Sequence, residues 1–264
     1  MKVMEYYRAS SLEDAYLKFQ EDPKNVILAG GLWIKKTNQD INTLIDLSTL
    51  GLNKISEDNN EVIVGSLVTQ HDFENSPIIR KLFNDSIAFS VREIMGVNFR
   101  NIATIGGSIM GRYPFSDVIC GLLPYKVTLH FYPESEMSLE EYLHYKGKLN
   151  KILVDIRIAK EEGKGFYKKV KLTALDYPIV NIAISHRNNK YYIAVGSRPM
   201  EAALAFKAME YINNIASPKQ EDFIKAGQIA SEELNFLSNN DASKDYRIDL
   251  VKVYVSRGLK EVSK

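Results

Sequence analysis

The stretch RNIATIGGS at residues 100–108 ends an apolar run on two adjacent glycines, and VILAGG at residues 26–31 repeats that construction. Such a run predicts a buried strand, and the glycine pair predicts a tight turn after it. Glycine adopts left-handed dihedral angles readily and lets the backbone approach a ligand with no Cβ in the way. Each pair therefore either presents successive N–H groups to a phosphate or pyrophosphate, or simply marks a turn or a bulge.

The first 160 residues, which contain both glycine pairs, are predicted to mix short strands with helices. The sequence predicts a helix after Ser11, which forms a capping box with Asp14, and a longer helix over 76–96 with Pro77 at its start. Short strands are predicted at 45–47 and 61–65. Both glycine pairs thus lie in a region that is expected to contain strands and helices together.

The second half of the chain has longer strands, followed by helices. Strands are predicted at 152–158, 179–184 and 191–196, with a polar hairpin turn at 186–190. Three helices are predicted to start at Met200, at Ser217-Pro218 with Gln220 completing a capping box, and at Ser243, the last running to about Leu259. The charged stretch 160–165 is the best candidate for a domain boundary, and the alternative is an ordinary hairpin loop.

Charge and cysteine content exclude several classes of protein. The 264 residues include 34 Lys plus Arg and 33 Asp plus Glu, a net charge of +1, which argues against a nucleic acid or an anionic membrane as the partner. Cys120 is the only cysteine, so this chain alone forms no disulfide, CxxC zinc site or cysteine-ligated cluster. No signal peptide or membrane span is expected, and a cytoplasmic location is predicted.

Several common catalytic and binding motifs are absent from the sequence. It contains no GxGxxG after a strand, no P-loop, no GxSxG and no HExxH. The four histidines have no i, i+4 pair among them, so no metal site is predicted. The two glycine pairs are left as the main candidates for a functional site.

Four longer segments together resemble the FAD-binding subunit of molybdenum hydroxylases. This family contains the medium subunit of carbon monoxide dehydrogenase and the flavin domain of xanthine dehydrogenase. The segments are AGGLWIKK (29–36), VGSLVTQHDFENSPII (64–79), IMGVNFRNIATIGGSIMGRYPFSDVICGLLP (94–124) and DYPIVNIAI (176–184). The family patterns run, in the same order, approximately AGGTD, IGA-x-x-T, RN-x-ATIGGN-x-x-x-x-P-x-x-D and DYAIVNVA. Tyr246-Arg247 with Arg257-Gly258-Leu259 resembles the family's YR…RAL close.

The resemblance implies an α+β fold of the vanillyl-alcohol-oxidase/PCMH type. It implies an FAD-binding domain at 1–160, with two α/β subdomains at about 1–55 and 56–160. A C-terminal domain at 161–264 would resemble that of the carbon monoxide dehydrogenase flavoprotein, with a three-stranded antiparallel sheet and helices.

The implied function is that of an electron-transfer subunit. It would hold FAD non-covalently and pass electrons between the [2Fe-2S] clusters of a small partner subunit and NAD+ or another acceptor. Molybdopterin would belong to a large partner subunit in a heterotrimer, and no catalytic residue or metal ligand is expected on this chain. The alternatives are a flavin-poor scaffold or assembly subunit, and a stand-alone FAD-dependent oxidoreductase.

The resemblance also implies which residues contact the cofactor. The first pyrophosphate loop would be Ile27, Leu28, Ala29, Gly30, Gly31, Leu32, Trp33 and Ile34. The second would be Thr104, Ile105, Gly106, Gly107 and Ser108, with the Thr104 and Ser108 hydroxyls as donors. Asp117, Leu153 and Lys169 would contact the flavin or the adenine, with Lys168 or Lys171 as alternatives to Lys169.

The chain departs from the family pattern at three places. Leu32-Trp33 replaces Thr-Asp, which removes a hydroxyl and a carboxylate, and Ser108 replaces an Asn. Arg112-Tyr113 lies where small residues are usual, which suggests an altered flavin face or acceptor route. Without the resemblance, Trp33 would be interpreted as a hydrophobic plug, Asp117 as a helix cap and Lys169 as part of a solvated strand.

Overall fold

The computed structural model describes residues 2–264, and its first unit is a small parallel sheet with one helix. The elements are β1 (Val3–Arg8), α1 (Leu12–Gln20), β2 (Val26–Leu28) and β3 (Ile41–Asp46). The strand order is β1-β3-β2. Helix α1 starts after Ser11, whose hydroxyl accepts the Asp14 N–H, but the Asp14 carboxylate accepts from Ser10 instead of Ser11. Only half of the predicted capping box therefore forms.

The second unit is an antiparallel sheet covered by short helices. Its elements are β4 (Ile55–Glu57), β5 (Glu61–Gly65), α2 (Gln70–Asn75), α3 (Pro77–Arg80), α4 (Ser86–Arg92), α5 (Val97–Arg100), α6 (Ile105–Met110), α7 (Asp117–Leu122), β6 (Val127–Tyr132), β7 (Ser135–Ser138), α8 (Leu139–His144) and β8 (Ile152–Ala159). The strand order is β4-β5-β8-β6-β7. The apolar faces of these elements form the largest core cluster of the molecule.

Two predictions for this unit are wrong. The helix expected over 76–96 is broken between α3 and α4, where Phe83, Asn84 and Asp85 all have positive φ. The break turns the Phe83 ring into the core, 4.3 Å from the ring of Tyr125, and that tertiary contact overrides the helical spacing. The strand expected before Gly106 is absent, since the glycine pair lies in the first turn of α6.

The third unit is an antiparallel sheet that packs against three helices. Its elements are β9 (Gly163–Val170), β10 (Val180–Arg187), β11 (Lys190–Gly196), β12 (Ala203–Leu204), α9 (Phe206–Asn213), α10 (Gln220–Glu233) and α11 (Lys244–Val262). The strand order is β12-β11-β10-β9, so the two-residue strand β12 adds a fourth strand to the three expected. The mixed helix and sheet arrangement confirms the predicted α+β class.

Two local predictions for this unit, the hairpin turn and the start of the last helix, are correct, whereas a predicted helix start and a predicted capping box are wrong. The hairpin between β10 and β11 turns at Asn188 and Asn189, both with positive φ, and α11 starts after Ser243 as predicted. Helix α9 starts later than predicted because Ala203–Leu204 pair with β11. Helix α10 is capped by the Asp222 carboxylate, which accepts the N–H of Lys219 at 2.7 Å, so the box predicted from Ser217 and Gln220 is wrong.

No helix within residues 2–264 combines the length and the apolar character that a membrane span needs. In that same part of the chain, no group of three or more His, Cys, Asp or Glu side chains is arranged to hold a metal ion.

Candidate functional site

A cleft of about 580 Å³ is lined by residues of the first and second units, and both glycine pairs face it. Its volume is in the range of cofactor pockets. Its walls come from the loop after β2, from α6, and from the segment around 148–153 that leads into β8. The two places that the sequence marked as phosphate loops therefore meet at one cavity.

The loop after β2 supplies free backbone donors. Residues Ala29 to Trp33 all line the cleft, and none of their five N–H groups donates a hydrogen bond within the described residues. Gly31 adopts φ 71°, the left-handed conformation that glycine favours and that the glycine pair predicts. Five successive N–H groups without an acceptor are suited to an anionic group such as a pyrophosphate.

Glycine is needed in both loops because they are packed tightly. A Cβ at Gly30 would lie 2.0 Å from the carbonyl oxygen of Ile102, and a Cβ at Gly106 would lie 2.5 Å from the carbonyl oxygen of Ser66. A Cβ at Gly107 would lie 3.4 Å from that of Ala29. The two glycine pairs thus hold the two loops in direct contact.

The second loop is chemically different from the first. Its N–H groups at 105–108 are already donated within the chain, to Val68 O, Ser66 O, Thr104 Oγ1 and Thr104 O in that order. Of its two hydroxyls, that of Ser108 donates to the Thr104 carbonyl at 2.7 Å. The Thr104 hydroxyl hydrogen has no acceptor among residues 2–264. This loop therefore offers a hydroxyl rather than a row of free N–H groups.

Most of the residues implied by the resemblance line this cleft. They are Ile27, Ala29, Gly30, Gly31, Leu32, Trp33, Ile34, Thr104, Gly106, Gly107, Ser108 and Leu153. Leu28 and Ile105 do not line it, and Ile105 is fully buried in the core. Arg100 and Arg112, whose side chains could pair with a phosphate or with carboxylates, do not line it and pair with Glu74 at 3.0 Å and with Glu201 at 3.4 Å.

Asp117 and Lys169 lie beside a second, smaller cavity of about 50 Å³. The Lys169 ammonium donates to the Asp117 carboxylate at 2.8 Å, and both side chains are at most 4% exposed. The carboxylate also accepts from the Tyr167 hydroxyl and from the Asn181 amide. Burial, together with the charge of Asp117, raises the pKa of the Tyr167 phenol well above its usual range, so the phenol donates as a neutral group.

Trp33 lies between the two cavities and lines both. Its ring is 4.7 Å from that of Tyr113 and 5.3 Å from that of Phe115, and the Phe115 ring is 4.3 Å from that of Tyr177. The two departures Leu32-Trp33 and Arg112-Tyr113, about eighty positions apart, are therefore in contact. Trp33 packs against other aromatic rings, as a hydrophobic plug would, and it also lines the cleft.

Sequence reasoning missed two polar side chains of the cleft, Ser66 and Gln70. Ser66 is 5% exposed and Gln70 is 3% exposed, and both line the large cavity. Neither the Ser66 hydroxyl nor the Gln70 side-chain carbonyl has a hydrogen-bond partner among the described residues. No sequence motif singles out a polar residue whose partner is missing, so only the structure reveals this pair.

The cleft between the first and second units has the size and the free backbone donors that suit a dinucleotide cofactor. The family described as the FAD-binding domain in molybdopterin dehydrogenase matches residues 2–160, and the CO dehydrogenase flavoprotein C-terminal domain matches residues 165–262. The chain belongs to this family and is an FAD-binding medium subunit of the molybdenum hydroxylase type. The resemblance seen in the sequence is thereby confirmed.

Individual relatives agree with this assignment. The glyceraldehyde dehydrogenase medium chain of Sulfolobus acidocaldarius is 29% identical over 285 residues, covering 98% of each chain. Carbon monoxide dehydrogenase from Hydrogenophaga pseudoflava superposes with a TM-score of 0.89 at 21% identity, covering 98% of this chain and 96% of that chain. Quinoline 2-oxidoreductase from Pseudomonas putida 86 superposes with a TM-score of 0.87 at 19% identity, with the same coverage. At such identities, these two structures show a shared fold.

Proposed function

We propose that this chain is the electron-transfer subunit of a molybdenum hydroxylase-type dehydrogenase. It would hold FAD in the cleft and pass electrons between a [2Fe-2S] partner subunit and NAD+ or another acceptor. The observation that carries the cofactor part is the loop after β2, whose residues Ala29 to Trp33 line the cleft and whose five N–H groups have no acceptor among the described residues. When bound, FAD would supply the redox chemistry, and this chain would bind and orient it.

The residues present fit the cofactor. The free N–H groups of 29–33 suit the pyrophosphate, and Leu153, which the resemblance implies as a cofactor contact, adds apolar surface to the cleft wall. The Thr104 hydroxyl supplies a further donor at the contact between the two loops. Asp117 and Lys169, beside the smaller cavity, are proposed to face the ring end, where Trp33 and Tyr113 line both cavities.

The partner subunits and the location are part of the same proposal. A large molybdopterin subunit and a small [2Fe-2S] subunit would complete a heterotrimer, since this chain has one cysteine, Cys120, which is buried. A cytoplasmic location is in keeping with that cysteine content. The similarity to a glyceraldehyde dehydrogenase medium chain makes aldehydes the first substrates to test on the assembled complex.

The direct test is titration of the purified chain with FAD, followed by ultrafiltration. We expect retained flavin absorbance near 450 nm and release of intact FAD on denaturation. Trp33 is the single tryptophan of the chain and lines the cleft, so its fluorescence should be quenched as FAD binds. If neither flavin retention nor quenching occurs, the chain is the flavin-poor scaffold instead.

A further inference from the structure

Two buried polar groups in the cleft, the Ser66 hydroxyl and the Gln70 carbonyl, have no hydrogen-bond partner among residues 2–264, and they lie on either side of the first turn of α6. The carbonyl of Ser66 accepts the Gly106 N–H, so the Ser66 side chain lies at one end of that turn. The Gln70 amide donates from Nε2 to the Ser108 hydroxyl oxygen at 3.0 Å, which places it at the other end. Leaving a polar group unpaired at this degree of burial is unfavourable, so such groups usually have a partner.

The orientation of the Gln70 amide is fixed by its neighbour. The Ser108 hydroxyl donates its only hydrogen to the carbonyl of Thr104 at 2.7 Å, so toward Gln70 it acts as an acceptor. The Gln70 NH₂ group must therefore face Ser108, and its carbonyl Oε1 is the atom left without a donor. The cleft thus needs a hydroxyl or N–H donor at Gln70, and it offers a hydroxyl at Ser66.

The position of the pair along the cleft indicates the part of the cofactor that it meets. Ser66 lines only the large cavity, together with the glycine loops, whereas Gln70 also lines the small cavity beside Asp117 and Lys169. Gln70 therefore lies between the loops proposed to hold the pyrophosphate and the cavity proposed for the ring, and Ser66 lies in the large cavity beside the second loop. In FAD, the group between the pyrophosphate and the ring is the ribityl chain, with three hydroxyls that both donate and accept.

We propose that Ser66 and Gln70 bind the ribityl hydroxyls of FAD, an inference that rests on the proposed function. The family pattern has Ala at the position of Ser66, and Thr-Asp at the positions of Leu32-Trp33. This chain lacks the hydroxyl and the carboxylate at 32–33, and it supplies a hydroxyl and a carbonyl to the same cleft from the second unit. Ser66 and Gln70 thereby replace polar contacts that the altered first loop no longer offers.

The test compares Ser66→Ala and Gln70→Leu with the unmodified full-length chain, using FAD and ADP as ligands. ADP contains the adenosine and the pyrophosphate but no ribityl chain. We expect each variant to bind FAD about tenfold more weakly and to bind ADP within twofold of the unmodified chain. Ser90→Ala, which also removes a buried hydroxyl but away from the cleft, is the control and should leave both affinities unchanged.

The melting temperature of each variant without FAD distinguishes a role in ligand binding from a role in stabilising the fold. The Ser66 hydroxyl has no partner within the described part of the chain, so Ser66→Ala should leave the melting temperature without FAD unchanged or raise it. FAD affinities equal to that of the unmodified chain, or equal losses for FAD and ADP, would overturn the ribityl assignment. If the unmodified chain bound neither ligand, the proposed function itself would fail.

Discussion

Gly30→Ala should lower the affinity for FAD at least a hundredfold, which corresponds to about 2.7 kcal/mol. The added Cβ would lie 2.0 Å from the carbonyl oxygen of Ile102, closer than any real Cβ contact. The loop after β2 and the segment before α6 would have to separate by about 1 Å. That separation would displace the N–H groups of 29–33, so affinity for ADP should fall together with affinity for FAD, unlike in the Ser66 and Gln70 variants.

The matched control for this change is Gly96→Ala. A Cβ at Gly96 meets no atom within 4 Å, and its φ of −97° is open to alanine. Calorimetric titration with both ligands, together with a thermal melt of each variant, measures the effect. Affinities of Gly30→Ala within twofold of those of Gly96→Ala would show that the contact between the loops does not organise the site.

Lys169→Met should destabilise the protein by about 3–5 kcal/mol, because it leaves the Asp117 carboxylate buried without its cation. Tyr167 and Asn181 still donate to that carboxylate, but both donors are neutral. Equilibrium unfolding in denaturant measures the loss. The double variant Lys169→Met/Asp117→Asn removes both charges. It should recover most of the lost free energy of unfolding, because the remaining groups are then uncharged.

Lys168→Met is the control for this pair. Lys168 is the adjacent residue on β9, and no carboxylate pairs with it among residues 2–264. Its ammonium lies over the Tyr254 ring, 5.6 Å from the ring centroid, so its replacement should change the free energy of unfolding by no more than about 1 kcal/mol. Equal losses for the Lys168 and Lys169 variants would mean that the ion pair contributes nothing specific, and that Lys169 is not the residue that holds Asp117.

The sequence predicted the parts of the site that depend on local rules. The strand β2 and the turn at Gly30-Gly31 follow from an apolar run and a glycine pair, and both are present, although β2 is partly rather than fully buried. The same reasoning failed at Gly106-Gly107, where the structure has a helix. There the glycine pair is required by the close approach of Ser66 to Gly106, a contact between residues forty positions apart.

Long-range contacts account for the rest of what was missed. The resemblance implied Asp117 and Lys169 separately, and only the fold shows that they form an ion pair across 52 positions. The contact between Trp33 and Tyr113 joins residues that are still further apart in sequence. In the sequence, Ser66 and Gln70 look like ordinary polar residues. That a hydrogen-bonding group of each is unpaired within residues 2–264 can be seen only once the positions of all neighbouring groups are known.

The buried ion pair also decides where the protein can be divided. Asp117 lies in the segment matched at 2–160, whereas Tyr167, Lys169 and Asn181 lie in the segment matched at 165–262. A fragment that ended near residue 160 would keep the carboxylate and lose all three of its side-chain donors. The other fragment would keep a buried lysine without its anion. The two matched segments should consequently be expressed, engineered and exchanged between relatives as one unit.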